Sequence, residues 1–318
     1  MVDVPFTQGL HKLSGECHVW HEPDGSWGWS NSGLVVGRDA ALLVDTLFDV
    51  PMTRRMLDEM TVITDEHPIT TVFNTHSNGD HWFGNQLLKD TEILSTTSCL
   101  EEMRTAGWRT PTALLGVSGV AGEFGREIFS PFDWSDLEPT FPTKTFDKEL
   151  TLDVGGIEVQ LIRLGPAHTS GDAIAYVPSA KTLYSGDLLF IGGTPIIWAG
   201  PLANWVAACD FMHDLDVEIV VPGHGPVTDK QGILQVRRYL EYVDEQAREK
   251  FAAGVPAEEA ARQISLEQFA SWAEGGRIIQ NVLAVYYELD PTMSHWSAVD
   301  VFEQIALLEA RDHPKKSQ

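Results

Sequence analysis

The chain has 318 residues, 43% of them hydrophobic and 21% charged, an ordinary globular composition with enough apolar material for a sizeable core and no case for disorder. Its 46 acidic residues outnumber 22 basic ones, for a formal net charge of -24, so the surface suits solubility and repels nucleic acid and other polyanions. No long apolar run marks a membrane span, Met1-Val2-Asp3-Val4-Pro5 lacks a basic-then-apolar leader pattern, and Cys17, Cys99 and Cys209 are scattered singly; the expectation is a cytoplasmic protein without a disulfide framework or a cysteine zinc cluster.

In chain order, residues 18–29 are aromatic and rich in turn formers, with Pro23-Asp24-Gly25 predicted as a hairpin turn between short strands. Trp20, Trp27 and Trp29 either line a pocket or pack on a sheet. Residues 33–36 and 41–44 read as strands, and Asp45 ends the second. Met52, Met56, Leu57 and Met60 recur at helical spacing, which predicts an amphipathic helix over 51–60 whose methionines belong to the core. A strand at 69–73 delivers the turn Thr75-His76-Ser77-Asn78-Gly79-Asp80-His81, and a helix starting at 85–88 and a strand at 93–95 follow.

Residues 99–143 carry Met103, Trp108, Leu114, Leu115, Phe124, Ile128, Phe129, Phe132 and Trp134 among glycines and prolines, without a strand pattern. They are expected to form a helical insertion over the functional cleft, with apolar residues that touch substrate or pack on the body. Alternation on both sides of Gly155-Gly156 predicts a hairpin from 146 to 161. Strands at 173–177 and 181–184, a helix at 202–215 with Trp205, Cys209 and Met212 on one face, and a strand at 217–221 complete the β-rich part. Beyond Gln231 the pattern is helical, at 241–251, 257–263 and 266–287, broken at Pro256 and Pro291. This divides the chain into a catalytic unit, 1–230, and a helical extension, 231–318, which serves as a cap over the cleft or as a homodimer face.

Three later turns echo the first: Gly165-Pro166-Ala167-His168-Thr169-Ser170-Gly171-Asp172, Tyr184-Ser185-Gly186-Asp187 and Val221-Pro222-Gly223-His224-Gly225. Each sets a histidine or aspartate directly after a strand, where loops converge, and imidazole with carboxylate suits zinc or iron. His11, His67, His213, His295 and His313 stand alone and are read as packed or surface imidazoles. No G-x-S-x-G elbow and no phosphate-binding loop offers a different chemistry.

In order and spacing these turns resemble the metallo-β-lactamase-fold superfamily over roughly the first 230 positions. The usual motif His-x-His-x-Asp-His appears here as His76-x-Asn78-x-Asp80-His81. The resemblance implies an α/β four-layer αββα sandwich, with one metal on His76, Asn78 and His168, a second on Asp80, His81 and His224, and Asp187 bridging them. It also makes Asp45 a residue that supports a ligand loop rather than a ligand. Asn78 is the departure: a neutral carboxamide binds zinc more weakly than imidazole does but is acceptable to manganese or iron, so Asn78 is either a weak ligand or a neighbour of one. Three centres follow: two ions with one labile, a single metal on Asp80, His81, Asp187 and His224, or a single iron on His76, His168 and Asp187, as in persulfide dioxygenases of this fold.

The implied function is a zinc-, manganese- or iron-dependent hydrolase that cleaves an ester, thioester, lactone or β-lactam-like bond by attack of metal-held hydroxide. Asp187 would share that hydroxide and Asp80 would orient it. Polyketide thioesterase or cyclase chemistry is its specific form, and a mononuclear iron dioxygenase or a metal-holding protein without turnover is the alternative. Trp82, Phe83, Phe190, Trp198 and Trp205 follow ligand turns and are expected to line an aromatic pocket for a small molecule with a bulky acyl or aromatic body.

Overall fold

The structure is a computed structural model that describes residues 4–105 and 109–312; Met1 to Asp3, Trp108 and His313, read above from sequence, lie outside the described residues. Seven strands form the first sheet in sequence order: β1 (Gly9–Lys12), β2 (Cys17–His21), β3 (Ser32–Val36), β4 (Ala41–Val44), β5 (Ile69–Phe73), β6 (Glu92–Thr96) and β7 (Lys144–Phe146). β1 to β4 pair antiparallel, and β4 to β7 pair parallel. The crossovers that parallel pairing requires are α1 (Val50–Thr64), a segment with the 3-10 turns Gly79–His81 and Phe83–Leu88, and an inserted group of α2 (Thr97–Thr105), α3 (Thr110–Leu115) and α4 (Gly119–Phe129).

The second sheet runs β12 (Ile219–Val221), β11 (Thr182–Tyr184), β10 (Ala173–Val177), β9 (Ile157–Arg163), β8 (Glu149–Val154). α5 (Leu202–Asp214), α6 (Lys230–Ala252), α7 (Ala257–Gln263), α8 (Ile278–Leu289) and α9 (Ala298–Asp312) follow the strands or lie between them.

Three apolar layers hold this together. Val19, Val35, Leu42, Val44 and Phe73 from one sheet meet Val159, Leu161, Ala175 and Tyr184 from the other. Leu34, Leu43 and Val72 on the outer side of the first sheet pack on Met52, Met56 and Met60 of α1. Ile174 and Leu183 on the outer side of the second sheet pack on α5, α6 and α8. The result is the αββα sandwich, each sheet burying both faces. Asp49 starts α1, its Oδ1 accepting from Met52 N at 2.7 Å, a cap worth about 1 kcal/mol, while its Oδ2 accepts from Asp133 N and ties the insertion to the same point.

Several expectations needed correction. Pro23-Asp24-Gly25 turns, with Asp24 and Gly25 at positive φ, but within a long excursion between β2 and β3 rather than at a tight hairpin, and Gly25 O is held by His224. Phe146 belongs to the first sheet, paired through β7 with β6 and packed 6.2 Å from Phe73; the hairpin starts at Glu149, after the chain crosses between sheets. The helix expected over 266–287 is interrupted by two short 3-10 turns, Glu267–Phe269 and Gly275–Arg277, because Glu274 adopts a left-handed φ of 62° and two glycines follow it. Residues 85–88 also fall in a 3-10 turn, Phe83–Leu88. The helix expected at 241 begins at Lys230, and β1 and α9 were not anticipated.

Strand direction positions the site. β4 and β5 are parallel. β9 and β11 both pair antiparallel with β10, and β11 is parallel to β12, so β9, β11 and β12 end on one edge. The four turns that carry the candidate ligands leave from the carboxyl ends of β5, β9, β11 and β12, where ligands bind in open α/β sheets.

Candidate metal centre

The structure brings all seven predicted positions together. His76, His168 and Asp187 form one group and Asp80, His81 and His224 another, each with its donor atoms within 4.8 Å of one another. Asp187 lies between them: Oδ2 is 3.6 Å from His76 Nε2, 3.4 Å from His168 Nε2 and 3.5 Å from His224 Nε2, and Oδ1 is 3.1 Å from His81 Nε2. Asp80 Oδ2 lies 3.2 Å from His224 Nε2 and 3.8 Å from His81 Nε2. The Asn78 carboxamide is 3.1 Å from His168 Nε2, which places it beside the first group.

Each imidazole is held by its other nitrogen. His168 Nδ1 bonds Ile196 O at 2.7 Å and His224 Nδ1 bonds Gly25 O at 3.1 Å. His81 Nδ1 meets Asp45 Oδ2 at 2.9 Å. His76 Nδ1 lies 3.0 Å from Thr75 Oγ1, whose hydroxyl donates to Asp45 Oδ2. A bond of this kind at Nδ1 fixes the tautomer that leaves Nε2 a lone pair facing inward. Asp45 reaches both histidines from a left-handed backbone, φ 62°, local strain of the sort the surrounding structure must hold in place.

Among the described residues, the buried atoms His76 Nε2, His81 Nε2 and Asp187 Oδ1 have no hydrogen-bond partner. Buried polar atoms are rarely left so, and three converging in one pocket are what a bound cation would satisfy. The donor set therefore fits a divalent metal. The electrostatics agree. Burial disfavours charge on His224, but Asp187 and Asp80 outweigh it and raise its pKa from 6.5 to about 9; burial is likewise overcome at His81 by Asp187, Asp80 and Asp45, which push it well above the ordinary value. Burial, then His81, holds His76 well below. Against burial, His224, His81 and His76 hold Asp187 well below the usual carboxylate range. Without a metal, protons on His81 and His224 supply the positive charge that this carboxylate pair demands.

Residues 25–224, more than half of the chain, match the sequence profile of the metallo-β-lactamase superfamily. The chain belongs to that superfamily. Among its relatives, the 2,4-dinitroanisole O-demethylase subunit alpha of a Nocardioides species is 24% identical over 213 residues, 65% of this chain and 55% of that one. The stereoselective inverting sec-alkylsulfatase of a Pseudomonas species superposes with a TM-score of 0.70 at 16% identity, over 90% of this chain and 51% of the sulfatase. The metallo-β-lactamase of Pontibacter korlensis superposes with a TM-score of 0.58 at 17% identity, over 74% of this chain and 99% of the lactamase. The chain thus spans about half the length of the demethylase subunit and of the sulfatase. The two solved structures share the fold, and the superfamily implies a divalent metal in a centre of this kind.

Above the centre lies a cavity of about 310 Å³. Phe83, Phe190 and Trp198 line it as expected, with Trp27, Phe48, Met103, Phe129 and Phe302. Trp82 and Trp205 do not. Both are fully buried and brace ligand turns from behind: Trp82 Nε1 donates to Ser77 O, and Trp205 lies edge-on to His168 with its Nε1 donating to Leu188 O.

Sequence reasoning missed several positioning residues. Asp172 accepts from Ala167 N, Thr169 N and Thr169 Oγ1 and so closes the His168 turn; its place four residues after that histidine, with a serine-glycine step between, was a usable signal. Glu102 of α2 accepts from Ser77 Oγ, Ser170 N and Ser170 Oγ, joining the His76 and His168 turns to the insertion. Asn31 Nδ2 donates to Pro222 O and Gly225 O on both sides of His224. Neither Glu102 nor Asn31 has a local pattern that announces it.

Proposed function

We propose that the chain is a metal-dependent hydrolase that cleaves an ester-type bond, in an acyl ester, thioester or lactone, of a small molecule whose aromatic or bulky apolar body fills the cavity. The observation that carries this reading is the juxtaposition of two histidine–aspartate groups on the floor with an aromatic wall directly above them.

His76, Asn78, His168 and Asp187 would hold one metal, and Asp80, His81, His224 and Asp187 a second. When bound, such an ion supplies Lewis acidity, acidifying a water and polarising the bond to be broken. The chain contributes orientation and a proton acceptor. The Asp80 side chain is 12% exposed against 3% for Asp187, so Asp80 is the more accessible of these two carboxylates and accepts the hydrogen bond of the attacking water. Phe190, stacked on His224 at 5.2 Å and 6°, and Trp198 close the wall against bulk water.

Relatives whose names point to an aryl methyl ether and an alkyl sulfate support substrates with an apolar body, a description that polyketide-type thioesters and cyclisation precursors share. Charge supports a small molecule over nucleic acid. Among the described residues no helix is long and apolar enough to cross a membrane.

The test is metal content by elemental mass spectrometry on protein purified without added metal, together with hydrolysis of chromogenic aryl ester, thioester and lactone panels. Zinc or manganese at one to two per chain with turnover is expected. Iron near one per chain, oxygen uptake and no hydrolysis would replace this reading with the dioxygenase.

A further inference from the structure

Arg277 has no role in the metal centre, yet it is 1% exposed and lines the cavity. It enters from outside the segment that matches the superfamily profile, at the turn before α8. Its guanidinium carbon lies 4.1 Å from the Trp27 ring centroid and 5.3 Å from that of Phe190. One amino group donates to Thr194 O at 2.9 Å, and the other is 2.8 Å from Glu274 Oε2. Nε has no hydrogen-bond partner among the described residues.

A guanidinium offers five donors in a planar fork suited to an oxyanion. An apolar side chain could fill the space between Trp27 and Phe190 without leaving a buried donor unmet. Among the described residues lining the cavity, Arg277 is the one lysine or arginine. We propose that Arg277 is the substrate-anchoring residue of this cavity, receiving a carboxylate or similar compact oxyanion carried on an aromatic substrate. This rests on the reading of the cavity as the substrate site.

Geometry fits the role. Phe190 is in contact with both Arg277 and His224, 5.3 Å from the Arg277 guanidinium carbon and stacked on His224, so one aromatic side chain links the anchor to the metal floor. A one-ring substrate held at Arg277 extends along Phe190 toward the centre. Glu274 moderates the site: its carboxylate also accepts from Trp27 N, and burial pushes its pKa up while Arg277 opposes that shift. The ion pair offsets the arginine's charge and leaves Nε and the remaining N–H groups for a ligand.

The experiment is isothermal calorimetry on the full chain as purified, with benzoate and its neutral isostere benzamide as probes. The wild-type chain should prefer benzoate by about 10-fold or more, the size of one charge-assisted contact. Arg277→Met should bring the ratio close to one while benzamide binds as before, and Arg277→Lys should fall between. Glu274→Gln, which leaves the arginine and releases its charge, should tighten benzoate and not benzamide. A merely structural Arg277 predicts equal changes for both probes and no gain in Glu274→Gln.

The proposal is overturned if the wild-type chain does not bind benzoate, binds the two probes equally, or keeps its preference in Arg277→Met. If Arg277→Met does not fold, an unchanged preference in both Arg277→Lys and Glu274→Gln overturns it. Ester turnover on the same preparations is scored separately. Selection through Arg277 without hydrolysis sinks the hydrolase and keeps the anchor; hydrolysis without selection does the reverse.

Discussion

Asp45 Oδ2 lies 2.9 Å from His81 Nδ1, on the side of the ring opposite the nitrogen that faces the metal centre. The same oxygen accepts from Thr75 Oγ1 at 2.7 Å, and Thr75 in turn touches His76 Nδ1. One buried carboxylate therefore sets two imidazoles, one in each metal group.

Asp45→Asn keeps the volume and removes the charge. Partners of this kind are worth about 10–100-fold in metal affinity, and a loss of that size is expected in chelator competition. Thr75→Val, which cuts only the branch to His76, should cost less. Wild-type affinity in Asp45→Asn would show that the carboxylate does not orient the ligands.

Gly223 is packed so closely on Asp187 that a Cβ there would overlap Asp187 Oδ1 and crowd the backbone of Gly186. Gly223→Ala should displace the shared carboxylate and lower metal content in both groups, with the far-ultraviolet circular dichroism retained. His81→Ala and Asp187→Ala should abolish tight binding. Full metal content in either of these two variants by elemental analysis would sink the centre as drawn.

We propose that Asn78 makes its group the weaker one: the carboxamide lies 3.1 Å from His168 Nε2, in place of the imidazole of the usual motif. Asn78→His should raise the stoichiometry of bound zinc toward two. If stoichiometry does not move, the side chain does not face the metal.

The metal-free centre has a definite response to pH. The pKa of His224 is raised from 6.5 to about 9, so its protonation stabilises the metal-free fold fully below pH 6.5, and that contribution is lost as pH rises through about 9. A metal must displace this proton and the one on His81, whose pKa is also raised. Apparent affinity should therefore climb as pH rises through the His224 value of about 9, and calorimetry at pH 7 in buffers of different ionisation enthalpy should register proton release on loading. No proton release would show that both histidines are neutral beforehand.

Much of the candidate ligand set was legible because metal chemistry is local in sequence. Imidazole and carboxylate at the ends of β-rich runs are unusual residues in recognisable turns, and His76, Asp80, His81, His168, Asp187 and His224 each announce themselves within a few positions. Sheet architecture was legible for a similar reason, since alternating apolar residues at 157–161 or a methionine face at 52–60 encode period and burial directly. The errors fell where a short window admits two partners. Phe146 has the alternation of a hairpin strand but pairs across to β6, and residues 266–287 have helical periodicity that the left-handed Glu274 interrupts.

The amino-acid sequence by itself pointed to the kind of chemistry: which side chains are candidates to hold a metal, and that Asn78 departs from the usual motif. Only the tertiary structure decided what stands over that candidate centre. Trp27, Phe48, Arg277 and Phe302 are far apart along the chain and meet in one wall, while Trp82, directly after a ligand turn, and Trp205, further along from one, are buried in the core. The reason is physical: a ligand's identity resides in its own donor atom, whereas the direction of an aromatic side chain is set by the packing of elements distant in sequence.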